Sequence, residues 1–213
     1  QLLVPVICVV PLAAAATAWV LPSGLSEKYG FRTFAGNAKQ FLLFIPLIVM
    51  SCVNLKNGLG LKAPLAVSVL MAVQLAVAGY VEEVIFRGFL FRAMEKDNLC
   101  TAIIVSAITF GVGHIVNLGN TADTLGVLLQ VCYAIAIGFM YTLVVYKGGS
   151  LWPCIVSHMF VNGSSTFALE QGPFSALVGT IFGQTSAELV SVCSSALIII
   201  VSGGYALWLW KKA

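Results

Sequence analysis

Apolar residues run along this chain in long blocks separated by short polar breaks. A bilayer core takes about 20 apolar residues per helix, within about 17–25, and the blocks are of that size. Leu2–Leu21 is the first and is ended by Pro22-Ser23-Gly24. Gln40–Leu55 is short and carries Pro46. Ala63–Ala93 is long and holds charges in its second half. Asn98–Leu118, Thr124–Tyr146 and Leu151–Ala168 follow, and a last block runs from about Glu188 to Trp210. After Gly172-Pro173 the weakly apolar Phe174–Phe182 is not counted as a span. The pattern predicts an all-α polytopic transmembrane helical bundle of about seven spans, in the range of six to eight. Residues 1–213 read as a single integral membrane domain with a catalytic core at about 63–168. The sequence starts at Gln1. Its first block is apolar from the outset and lacks a basic n-region, so it reads as a span and not as a signal peptide.

Composition agrees with the pattern. Of the 213 residues, 60% are hydrophobic and 9% charged, and the mean hydropathy is +1.00. Soluble domains hold about 45–50% and about 25% respectively. So few charges cannot clothe a soluble surface. The net charge of +3 forms no basic stripe, which argues against a nucleic-acid partner. The six cysteines are widely spaced, lie in or beside apolar runs, and read as small buried hydrophobes. Lysine and arginine set the expected orientation. With seven spans, nine of them (Lys28, Arg32, Lys39, Arg87, Arg92, Lys96, Lys147, Lys211, Lys212) share one side, against Lys56 and Lys62 on the other. That bias puts loops one, three and five and the C-terminus in the cytoplasm.

Most acidic residues sit in loops or at span ends. Glu82 and Glu83 do not, and both histidines of the chain, His114 and His158, also lie inside apolar blocks. An intramembrane carboxylate costs at least about 2.5–3.5 kcal/mol and marks a functional site by default. Neighbouring helical residues point about 100° apart, so the two glutamates divide their tasks. Glu83 and Arg87 stand at i,i+4 in the favourable order for an ion pair and read as a structural pair. Glu82 is left without a local partner and is the better general base. Phe110 and His114 are i,i+4, so the ring can wall the imidazole. His158 and Asn162 share the spacing and can together bind an oxyanion or orient a water. Measured from the cytoplasmic ends, Glu82 lies about 15 Å deep, His158 about 10 Å and His114 about 24 Å. Gly111 and Gly113 offer a bend that brings His114 closer. A purely structural cluster, or an ion or proton path, remains open at this point. Cys154 at i,i+4 from His158 permits a thiol–imidazole dyad, with nothing else to support it. No H-E-x-x-H is present, so a standard zincin is excluded.

Glu82-Glu83-x-x-x-Arg87, Phe110-x-x-x-His114 and His158-x-x-x-Asn162 resemble the three signature motifs of the CAAX protease and bacteriocin-processing (CPBP, or Abi) family, the type II CAAX prenyl endopeptidases. The resemblance covers about Gly79–Ser165. It implies an intramembrane peptidase opening to the cytoplasm. Glu82 would activate water with help from His114, His158 and Asn162 would hold the oxyanion, and Glu83, Arg87 and Phe110 would support the site. The substrate would be a membrane-associated peptide or a lipidated, CAAX-like protein. No cofactor is favoured. Zinc is the alternative, on Glu82, His114 and His158. The short chain looks like the bacterial branch and implies a bacterial cell membrane, or the endoplasmic reticulum in a eukaryote. The competing expectation is a non-catalytic membrane binding or immunity protein, or a small transporter, built on the same polar cluster.

Overall fold

The computed structural model describes residues 3–33 and 44–212, with side chains from Val9 onward. Among them are eight helices and no strand. α1 is Leu3–Val20, α2 Ile45–Ser51 and α3 Leu65–Glu83. α3 continues without a break through a π-helical stretch, Val84–Phe91, to Met94. α4 is Leu99–Gly113, extended by a 3-10 turn His114–Gly119; α5 is Thr124–Gly148 and α6 Trp152–Ser165. α7 is Pro173–Phe182 and α8 Ala187–Trp210. Four continuous stretches are long and apolar enough to cross a membrane: Leu65–Met94, Leu99–Gly119, Thr124–Gly148 and Ala187–Trp210. The expected seven also counted α1, α2 and α6. α2 has seven residues and passes through a 3-10 turn, Val53–Asn57, and α6 has 14. Residues 40–43 of the expected second span lie outside the described residues.

Helix ends follow local chemistry. The Asn98 side chain accepts from Thr101 N (2.9 Å), Asp123 from Gly126 N (2.8 Å) and Ser186 from Leu189 N (3.1 Å). These satisfy amides that the first turn leaves free. Gly149, at φ 69°, closes α5 in the left-handed conformation that glycine adopts without strain.

Helices meet where side chains are small, as expected when packing and not water drives association. A Cβ on Gly111 would lie 2.7 Å from the Ile135 backbone nitrogen, and one on Gly138 2.9 Å from the Ala107 carbonyl oxygen. These two glycines let α4 and α5 touch backbone to backbone. Ser106, buried between them, donates to the Phe86 carbonyl oxygen (2.9 Å) and lies 3.3 Å from the Thr142 hydroxyl.

The bundle has two unlike ends. At one, Arg32 Nε donates to the Gly149 oxygen (2.6 Å), Arg92 Nη2 reaches the same oxygen (3.5 Å), and Lys147 donates to the Lys212 carbonyl. Loops one, three and five and the C-terminal tail therefore meet there. At the other, Gly60 N donates to Phe167 O (2.8 Å), and Asn57 Nδ2 donates to Glu170 O (2.7 Å). The buried apolar core includes Phe91, Ile103, Leu143, Val145, Leu151 and Leu209 toward the basic end and reaches the wall of a cavity at Met50, Tyr141 and Ile198. That cavity, of about 1010 Å³, takes up much of the other half.

Candidate active site

Glu82 and Glu83 close the α-helical part of α3, and the π stretch begins at the next residue. Such widened turns cluster at functional sites. Arg87 Nη1 donates to Glu83 Oε1 (2.8 Å), and both side chains are fully buried. The local pair read from the spacing is present. Glu83 also accepts from His158 Nδ1 at the same oxygen (2.8 Å). With Nδ1 committed as the donor, the other nitrogen of His158 is aimed outward. It stands 3.4 Å from Glu82 Oε2. Glu82 is thus not isolated: His158 lies between the two carboxylates. The Glu82 side chain keeps 32% of its surface exposed, whereas His158 keeps 8%.

Phe110 ties the cluster together. Its ring lies 4.1 Å from the Arg87 guanidinium carbon, a cation–π contact, and stands edge-on to His114 (5.1 Å) and His158 (5.6 Å). His114 Nδ1 donates to the Phe110 carbonyl oxygen (3.0 Å), which leaves Nε2 as its acceptor in the neutral ring. α4 ends at Gly113, and the 3-10 turn begins with His114 itself. The sequence flagged a bend at Gly111 and Gly113; the structure shows a change of helix type.

α6 carries His158 and Asn162 past α3 at close range. A Cβ on Gly79 would fall 3.2 Å from Asn162 Nδ2 and 3.2 Å from the His158 carbonyl carbon. Gly163 likewise lets α6 approach the Ala72 carbonyl oxygen, 3.2 Å from a built Cβ. Two glycines, one on each helix, bring the paired glutamates beside the second histidine. Glu82, His114, His158, Asn162 and Phe110 all line one cavity of about 1010 Å³. Glu83 and Arg87 lie behind its wall.

Sequence reading missed three groups. Tyr141 backs His158 edge-on (5.9 Å), and its hydroxyl shares a hydrogen bond with Ser157 (2.8 Å). Asn117 Nδ2 donates to Gln130 Oε1 (2.9 Å), fastening the 3-10 turn below His114 to α5. The rule that singled out Glu82, polar groups inside apolar spans, would also have found Gln130. Nothing in the sequence marks Tyr141. The Cys154 thiol turns to the Tyr141 carbonyl oxygen (3.6 Å) and not to His158. Lys56, half-buried at the cavity wall, is held below the ordinary lysine range by burial. Among the described residues no three His, Cys, Asp or Glu side chains are grouped to hold a metal, so Glu82, His114 and His158 form no ready ligand set.

Residues 64–164 match the family model "Type II CAAX prenyl endopeptidase Rce1-like". A protein of Bacillus subtilis (strain 168), "Putative membrane peptidase YdiL", is 31% identical over 98 residues, which is 46% of this chain. The chain spans 36% of that relative's length. No solved structure matches. The apolar helices define an integral membrane bundle, and the three motifs meet around one cavity inside it. Over residues 64–164, just under half of its length, the chain is similar to the type II CAAX prenyl endopeptidases, the family that its three motifs resemble.

Proposed function

We propose that this protein is an intramembrane endopeptidase that hydrolyses a peptide bond in a membrane-associated peptide or lipidated protein, using a water activated by Glu82. The observation that carries this reading is the convergence of Glu82, His114, His158 and Asn162 on one cavity between apolar helices. The hydrogen bonds of the two histidines and the cavity lining support the following roles. Water seated between Glu82 and His114 Nε2 gives a proton to the Glu82 carboxylate as its oxygen attacks the carbonyl carbon. The developing oxyanion accepts from His158 Nε2–H and Asn162 Nδ2–H. Glu83, accepting from Nδ1–H, fixes the ring with Nε2 toward the cavity, and Arg87 balances the charge of Glu83. The proton on Glu82 then passes to the departing amine, and the C–N bond breaks. The proton passes from water to Glu82 to the departing amine, so the step balances, and none is routed through zinc.

The test is Glu82→Gln in the purified full chain, with cleavage of a membrane-peptide pool followed by mass spectrometry. The amide keeps the shape and cannot take the proton, so turnover should fall by about 10²–10⁴-fold. Full cleavage by the variant would overturn the assignment of the base. Binding retained by both proteins, with cleavage by neither, would move the reading to a membrane binding protein.

A further inference from the structure

The cavity runs from the glutamate–histidine cluster in one direction only. Its floor is Glu82, Tyr141 and His158, and its far lining is Lys62, Glu170 and Ala187. On each helix that it touches, the lining residues lie between the cluster and the end where loops two and six meet. None of the arginines and lysines that join at the opposite end lines it. That opposite half is filled by the apolar core. A substrate has no route through packed side chains, so the way in is through the hollow half.

Positive residues collect on the cytoplasmic side of membrane proteins. Here the basic end and the cavity mouth are opposite ends of one bundle. We propose that the cavity opens on the non-cytoplasmic face and takes an extended peptide presented from that side. This departs from the cytoplasmic opening that the sequence resemblance implied. The part about the peptide rests on the peptidase reading; the side of the opening does not.

Lys62 is exposed at the mouth, and Lys96 is exposed in the loop at the basic end. Lys62→Cys and Lys96→Cys, each in the full chain in cells, would be treated with a membrane-impermeant maleimide before and after permeabilisation. Labelled peptides are then identified by mass spectrometry, which separates the new thiols from the native cysteines. Lys62→Cys should label in intact cells at least tenfold more than Lys96→Cys, which should label only after permeabilisation. Labelling of both from one side, of Lys62→Cys only after permeabilisation, or of Lys62→Cys from neither side would overturn the proposal.

A second arm offers a library of charged synthetic decapeptides to sealed vesicles. Cleavage by right-side-out vesicles, lost in Glu82→Gln, is expected. Cleavage confined to inside-out vesicles would overturn the entry side. Expected labelling with no cleavage by either vesicle would sink the peptidase reading, while the opening would stand on the labelling.

Discussion

At the scale of single residues, the site depends on a buried charge pair that holds the His158 ring. Glu83 and Arg87 have no exposed side-chain surface. Removing one partner leaves the other charge uncompensated in low dielectric. Arg87→Ala should therefore cost about 3–5 kcal/mol of stability, read as a lower midpoint in thermal unfolding in detergent. Glu82→Gln, whose carboxylate is one-third exposed on the cavity, should leave that midpoint nearly unchanged. Equal destabilisation by the two variants would refute this division of roles. The Glu83–Arg87 pair was legible in the sequence because helix geometry alone makes i,i+4 neighbours. The bond from His158 to Glu83 was not, because it spans 75 positions and no local rule links them. For the same reason the sequence left Glu82 without a partner.

At the scale of elements, the decisive contact is the crossing of α3 and α6. A Cβ at Gly79 meets the His158 backbone at 3.2 Å, so any larger side chain pushes α6 away from Glu82. Gly79→Leu should lower kcat by about 10²-fold, the cost of misplacing catalytic groups by roughly 1 Å. Gly203 has nothing within 4 Å of a built Cβ, so Gly203→Leu should leave kcat within a factor of two or so, given the usual small effect of substitutions away from packed features. Assay of both purified variants checks the pair. The long apolar blocks disclosed α3, α4, α5 and α8, because length and hydropathy are additive along a chain. They could not disclose the π stretch at Val84–Phe91. An apolar run reads the same whichever carbonyl each amide selects.

At the scale of the whole molecule, the alternation of seven spans put loops one, three and five and the tail on one side. Loops one, three and five and the tail do meet. Which way the cavity faces was not legible, since that depends on where side chains fill space between helices. Metal dependence belongs at this scale too. With no donor group of three assembled among the described residues, cleavage products should persist after exhaustive chelation of the purified protein. Loss of products on chelation, restored by added zinc, would reverse the assignment of the water step to Glu82.

The division of the bundle into a filled half and a hollow half also sets how it should breathe. Backbone amides around Leu143, Val144 and Leu151, enclosed by core side chains, open to solvent only with large-scale unfolding. The 3-10 turn at His114–Gly119 and the loop at residues 58–62 are exposed along most of their length, and His114, Asn117 and Lys62 line the cavity. Hydrogen–deuterium exchange should therefore run as a gradient along the membrane normal, slow at the basic end and fast at the mouth. A site that admits a ligand without loosening its own charge pair gains from that asymmetry: the compliant walls yield, and Glu83 and Arg87 stay anchored in the rigid half.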